Sequence, residues 1–271
     1  MIRPDYPFHY HRFRQGHWEE IASSVPVEAN VSLAVNGVHW LTFLCTPIDL
    51  KALSLGFLFN EGIISSVAEV ALVDACALGN HVDVWLNHSV EKPVNWQRTS
   101  GCSGGFTAIT PEGVEPLSTG SGLQLPPERI MNIMGIFLES QSLYRQTGGV
   151  HSSALSDGET ICIKAEDIGR HNTLDKIAGQ YLMNPFHTEQ RILLTTGRIN
   201  SEMLLKGARM RASILISRSA VNSTSIQQAQ LLGITLIGYS HRNEFCVYAH
   251  PERLIGFATL NPPVDTELPA S

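Results

Sequence analysis

From residue 159 to residue 239 the chain alternates short apolar runs with helical stretches, and this alternation constrains the fold more than any other feature. Residues 159–166, 191–195, 213–217 and 235–239 read as strands. Helices begin after Asp167, over 201–211 and over 223–232, and Asp167 or Asn172 is placed to cap the first. Strands separated by helices of about ten residues pair in parallel, with helices on both faces of the sheet. A further helix opens at Pro127-Glu128, and its apolar stripe runs through Ile130, Ile133, Met134, Ile136, Phe137 and Leu143. Ligands of such sheets lie beyond the carboxyl ends of the strands. The segments expected there, 166–171, 196–200, 217–224 and 239–244, are rich in Gly, Arg, Ser and Asn.

The first part of the chain has a different period. Residues 27–35 alternate apolar with polar, Asn36-Gly37 is a hairpin turn, and 38–45 form the return strand. A helix is expected over 48–60, closing at Gly62, followed by strands 70–78 and 81–86 around Gly79-Asn80. The Pro- and Gly-rich passage 110–127 marks a boundary. The expected organisation is an arm over 1–25 carrying His9, His11 and His17, a β-rich domain over 26–124, an α/β domain over 125–262 and a tail over 263–271.

The 271 residues carry a net charge of −6, so nothing in the overall charge draws the chain to nucleic acid or a membrane surface. Its five cysteines, Cys45, Cys76, Cys102, Cys162 and Cys246, lack the close pairing of a zinc knuckle. With no apolar leader or membrane-length run in the sequence, the expectation is a cytoplasmic protein. Cys45 and Cys76 fall in strands and are expected to fill the core.

Several loops carry candidate chemistry. Cys102 stands in Arg98-Thr99-Ser100-Gly101-Cys102-Ser103-Gly104-Gly105, where small residues would leave a thiol bare to an approaching molecule. The segment can equally be a tight turn that contains a cysteine. Gly169-Arg170-His171-Asn172 and Thr196-Gly197-Arg198 join a cation to a helix start, which suits an anionic group. The loop with Ser219, Asn222 and Thr224 offers hydroxyl and amide donors for phosphate or a guanine-like base. Each of these also reads as an ordinary capped turn. Glu202 and Lys206 stand four apart, the spacing of a surface ion pair. His151 after Gly148-Gly149 invites comparison with zinc deaminases, but Ser153 stands where their glutamate would be and no Pro-Cys-x-x-Cys follows. No metal site is expected.

Taken in order, these segments resemble the FdhD family, the sulfurtransferase-type accessory proteins of formate dehydrogenase. The resemblance spans about residues 26–255. It rests on Leu55-Gly56-Phe57-Leu58-Phe59-Asn60-Glu61-Gly62, Thr147-Gly148-Gly149-Val150-His151 and Glu166-Asp167-Ile168-Gly169-Arg170-His171-Asn172-Thr173-Leu174-Asp175-Lys176. It continues through Thr196-Gly197-Arg198, Ser201-Glu202-Met203, Thr235-Leu236-Ile237-Gly238-Tyr239 and Val247-Tyr248-Ala249-His250-Pro251-Glu252-Arg253. The resemblance implies a three-layer, cytidine-deaminase-like α/β domain without its zinc site, joined to a β-rich N-terminal domain. It implies a sulfurtransferase that takes persulfide sulfur from a cysteine desulfurase. The acceptor is the molybdenum (or tungsten) bis-guanine-dinucleotide cofactor of formate dehydrogenase. It also implies a homodimer and a persulfide on Cys102. Contacts to the guanine-nucleotide cofactor are expected from Arg170, His171, Arg198, Ser219, Asn222 and Thr224. The family's cofactor-contacting loop corresponds to Tyr239, Ser240, His241, Arg242, Asn243 and Glu244. The family loop usually reads Cys-x-x-Cys, whereas here the second position is Gly105. The alternative reading is a non-catalytic chaperone that binds and delivers the cofactor.

Overall fold

The structure is a computed structural model that describes residues 3–93, 97–98, 106–107, 113–118, 124–186, 188 and 191–257. The expected arm is a ribbon: β1 (Asp5–Arg14) and β2 (His17–Pro26) pair antiparallel along their whole length. Their turn, Gln15-Gly16, takes positive φ at both residues, the geometry that matches strand twist. Asn36-Gly37 does the same between β3 (Ala29–Val35) and β4 (Val38–Cys45). Next come α1 (Leu50–Asn60), β5 (Val70–Ala75) and β6 (His81–Leu86). The four strands form one sheet in the order β4-β3-β6-β5, and only the central β3–β6 pair is parallel. β7 (Gln97–Arg98) and β8 (Phe106–Thr107) then pair antiparallel. Residues 99–105 between them, with Cys102, lie outside the described residues.

The second half contains α2 (Pro127–Ser140), α3 (Ser142–Thr147), β9 (His151–Ser156), β10 (Ile161–Asp167), α4 (Arg170–Met183) and β11 (Ile192–Thr195). It continues with α5 (Ser201–Arg209), β12 (Ile214–Ser217), α6 (Ser223–Leu232), β13 (Thr235–Gly238) and β14 (Cys246–Ala249). Six strands line up as β10-β9-β11-β12-β13-β14. The expected parallel character holds only for β11-β12-β13; the other three pairings are antiparallel. The cause is connection length. Helical crossovers join the three central strands, whereas β9–β10 and β13–β14 are joined by short turns that permit only antiparallel return.

Each central strand points alternate residues to opposite faces. Ile192, Leu194, Ile214, Ile216 and Ile237 meet Ile130, Ile133, Met134 and Phe137 of α2. Leu193, Leu215 and Leu236 meet α4, α5 and α6 through Leu174, Ile177, Leu204, Leu205 and Ala229. The result is three layers, helix on sheet on helix. A separate core under the four-stranded sheet takes in Val31, Leu33, Phe43, Val82 and Val84 with Leu53, Leu55, Phe57 and Leu58 of α1.

The two halves are joined by the crossing of α1 on α4. A Cβ at Gly56 would fall 1.7 Å from the Asp175 carbonyl oxygen, and one at Gly179 would fall 1.9 Å from that of Ala52. Only glycine lets two helix backbones approach so closely. Polar bonds reinforce the joint: Asn60 Nδ2 donates to Asp175 Oδ1 at 2.7 Å and Arg209 Nε to the Phe59 carbonyl at 2.9 Å. Asn172 Nδ2 donates to the Leu44 carbonyl at 2.8 Å, and Lys176 Nζ to that of Thr46 at 3.0 Å.

Two expectations are corrected. Glu202 and Lys206 are not a surface pair; both are buried, and Lys206 Nζ binds Asp175 Oδ2 at 2.7 Å while standing 3.9 Å from Glu202. The burial follows from α5 being covered by α4 and α6 as well as by the sheet. Cys76 is exposed rather than core, because β5 ends at Ala75 and the chain turns outward. Cys45 is buried as expected, and burial, reinforced by Asp167, pushes its thiol up to about 12.

Candidate functional site

Five chain segments meet at one end of the six-stranded sheet. β11, β12 and β13 all finish there because they run parallel. β9 runs the other way, so its first residue, His151, lies beyond the paired Ser153 and Thr195. β10 returns beside it and pairs Asp167 with His151. Backbone bonds knit the connecting loops into one shelf: Ile199 N–H to the Ala220 carbonyl, Tyr239 N–H to that of Ser219 and Ser240 N–H to that of Ser217, each at 3.0 Å. Ser217 Oγ closes the seam by donating to the Gly197 carbonyl at 2.7 Å. Gly197 also makes room for Arg170, whose Cβ lies 3.0 Å from where a Gly197 Cβ would stand.

Beneath the shelf, Asp167 is wholly buried and ties the segment after β4 to the start of α4. Its Oδ2 takes Lys176 Nζ at 2.6 Å and the Thr46 N–H at 3.0 Å. Its Oδ1 takes the Gly169 N–H at 2.8 Å and Asn172 Nδ2 at 2.9 Å. This fixes the Gly169–Arg170 start of α4, which has no side-chain cap of its own. Glu166 does the same for α3: its carboxylate accepts the backbone N–H groups of Ser142, Leu143 and Tyr144. Burial pushes Glu166 up, but those N–H donors outweigh it and hold the group below the usual glutamate range.

The shelf brings many of the expected residues together, at different depths. Arg198 is exposed, and so are Asn222 and Thr224; Ser219 is half-buried. Asn222 is already engaged as the cap of α6, accepting the Ser225 N–H at 2.8 Å. Tyr239 is exposed at a positive φ of 49°. Ser240 is buried, and its Oγ has no hydrogen-bond partner among the described residues. His241, Arg242, Asn243 and Glu244 are exposed in a turn closed by His241 N–H to the Glu244 carbonyl. Arg170 and His171 are buried under the shelf rather than spread on it. His171 Nε2 approaches Glu202 Oε2 to 3.2 Å, off the line a hydrogen bond needs. Burial, with Lys206 and Arg170 nearby, pushes His171 down to about 3, and burial pushes Glu202 up to about 7. His171 is therefore a neutral ring in a buried network, not a surface cation.

Two neighbours of the shelf are absent from the expected site. His151 is half-buried, with Nδ1 3.5 Å from Thr196 Oγ1. Burial first, then Arg170 and Arg198, push its imidazole below the usual range, so it is neutral at neutral pH. Its signal in the sequence was the Gly-Gly before it. Cys246 is exposed and pairs with Gly238 at the same end of the sheet. Among the described residues no group of three or more His, Cys, Asp or Glu side chains is placed to hold a metal ion. No described helix is long and apolar enough to cross a membrane. The exposed guanidiniums of Arg198 and Arg242 suit binding of an anionic group. Cys102 lies outside the described residues.

Comparison with known proteins gives concordant results. The model of the FdhD/NarQ family matches residues 26–255. The sulfur carrier protein FdhD of Bacillus subtilis is 33% identical over 248 residues, covering 90% of this chain and 95% of the relative. That of Listeria innocua is 34% identical over 250 residues, covering 90% and 96%. Among solved structures, a putative formate dehydrogenase accessory protein from Desulfotalea psychrophila superposes with a TM-score of 0.76. It is 26% identical, and the match covers 93% of this chain and all of that one.

Proposed function

The chain belongs to the FdhD/NarQ family, and we propose on that basis that it is a sulfurtransferase for formate dehydrogenase, carrying persulfide sulfur on Cys102. The observation that carries the reading is the family match across the chain, with curated relatives named as sulfur carrier proteins. The sulfur donor is a cysteine desulfurase. The acceptor is the bis-guanine-dinucleotide molybdenum cofactor, bound as cargo on the shelf. Arg198 and Arg242 meet its phosphates, and Ser219, Asn222, Thr224, Tyr239 and Asn243 lie within the same surface. Arg170 and His171 act from below, by positioning the Gly197 loop and the start of α4. The working protein is a cytoplasmic homodimer.

In the loading step the Cys102 thiolate attacks the outer sulfur of the desulfurase persulfide. A sulfur–sulfur bond forms on Cys102 as the donor bond breaks, and the donor cysteine leaves as thiolate, so no oxidant is needed. Delivering that sulfur as sulfide needs two electrons. A thiol attacking Cys102 supplies them and leaves a disulfide. With Gly105 in the second loop position, that thiol comes from outside the loop.

The absent second cysteine is also what favours the other reading, a chaperone that delivers the cofactor without sulfur chemistry. Cells whose sole copy carries Cys102→Ala separate the two. Loss of formate dehydrogenase activity, restored by the wild-type chain, supports sulfur transfer. Normal activity in those cells refutes it and leaves the chaperone.

A further inference from the structure

Under the shelf the first turns of α4 and α5 bring an imidazole and a carboxyl together. His171 and Glu202 expose only 6% and 7% of their side chains, and His171 Nε2 lies 3.2 Å from Glu202 Oε2. That nitrogen has no hydrogen-bond partner among the described residues. A buried polar atom in this position has lost water without gaining a replacement, which is uncommon in folded proteins. One proton completes the contact: a carboxyl O–H at Glu202 can donate to the bare ring nitrogen.

The charges packed around the pair decide when that proton is held. Arg170 and Asp175 face it from α4, Lys206 from α5, Glu61 from the end of α1 and His151 from β9. Asn200, ahead of α5, bonds the imidazole. Two of the neighbouring cations already serve other carboxylates. Lys206 Nζ donates to both oxygens of Asp175, at 2.8 and 2.7 Å, and stands 3.9 Å from Glu202. Arg209 is held charged by Glu61. The third, Arg170, is shared between the pair and the shelf. It favours the charged form of Glu202, it acts on His151, and its side chain packs against Gly197, directly before Arg198.

We propose that an anionic group bound on the shelf is taken up together with one proton, which enters the Glu202–His171 pair. The anion competes for the Arg170 charge, so Glu202 loses compensation it had before. A proton from solvent then bonds to Glu202 and joins it to His171 Nε2. Before the anion binds, burial raises Glu202 to about 7, so the proton is already present below that pH and absent above it. Glu202 is thereby a positioning residue, holding the His171 ring and with it the first turn of α4 that carries Arg170. The inference rests on the guanine-nucleotide reading of the shelf.

Calorimetric titration of the full chain with GDP-mannose tests it. The diphosphate of this probe is esterified at both ends and does not itself titrate near neutral pH. Titrations in two buffers of different ionisation enthalpy count the protons taken up. The expected result is an uptake of about one proton at pH 8 and almost none at pH 6, with binding about tenfold weaker at pH 8. Glu202→Gln stands in permanently for the protonated carboxyl. It should bind at pH 8 as tightly as the wild type does at pH 6, with no uptake at either pH, a change that a purely structural role would not produce. Binding without uptake at pH 8, or an uptake unchanged in Glu202→Gln, overturns the coupling and leaves the shelf a nucleotide site. If Glu202→Gln does not fold, the proton count and pH profile of the wild type still decide. A wild type that binds no GDP-mannose overturns the guanine-nucleotide reading and the coupling with it.

Discussion

Alanine at Gly56 tests the joint between the two halves. The added Cβ would stand 1.7 Å from the Asp175 carbonyl oxygen, and at Gly179 it would stand 1.9 Å from that of Ala52. Carbon–oxygen contacts settle at about 3.3 Å or more, so α1 and α4 must separate by roughly 1.5 Å. Both obstructing atoms are backbone, and no side chain can swing aside. Separation also stretches the 2.7 Å bond from Asn60 to Asp175. Overpacking of this kind costs about 1–3 kcal/mol, and the lost hydrogen bond about 1 kcal/mol. Alanine returns about 1 kcal/mol of helix propensity. The net expectation is a loss of about 1–3 kcal/mol for Gly56→Ala, and the same for Gly179→Ala. Gly135 of α2 is the control: a Cβ there meets nothing within 4 Å, so Gly135→Ala gains up to about 1 kcal/mol. Urea unfolding reads all three as shifts in midpoint at constant slope. A Gly56→Ala protein as stable as the wild type, or stabilised like the control, refutes the close-approach argument.

Other buried groups give further tests. Lys206→Met leaves Asp175 buried without its cation, and unfolding measurements should show a loss of about 3–5 kcal/mol; a loss under about 1 kcal/mol would show that the pair is not buried as described. Glu202, raised from 4.5 to about 7, contributes stability that is full below 4.5 and fades as pH rises through about 7. His171, lowered from 6.5 to about 3, contributes stability that is full above 6.5 and is lost as pH falls toward 3. Between 4.5 and 6.5 the two slopes cancel, so the pair contributes a plateau there. Glu202→Gln should remove the decline near pH 7, read by unfolding at pH 6 and pH 8; an unchanged decline would assign it to other groups.

The local signals in the sequence carried much of the fold. Asn36-Gly37 placed β3 and β4 because that turn type needs positive φ at both positions. The alternation after residue 159 placed β11, β12 and β13 and their helices. β9 escaped because Ser152, Ser153 and Ala154 are all buried, so no polar–apolar alternation marks the strand. Its antiparallel course then brings His151 to the site, which no local pattern reveals. Glu202 and Lys206 show the same limit. Their spacing fits an exposed helix face, and only the packing of α4 over α5 puts Asp175 against Lys206. Arg198 and the 217–224 loop were legible as strand-end loops, whereas the burial of Arg170 and His171 depends on Gly197 and Glu202 from other segments.

The measurement closest to the central claim is the intact mass of the protein after incubation with a cysteine desulfurase and cysteine. The account predicts that the wild type gains the mass of one sulfur atom, that added thiol removes it, and that Cys102→Ala gains none. A wild type that gains no sulfur, or a Cys102→Ala variant that gains as much, contradicts it.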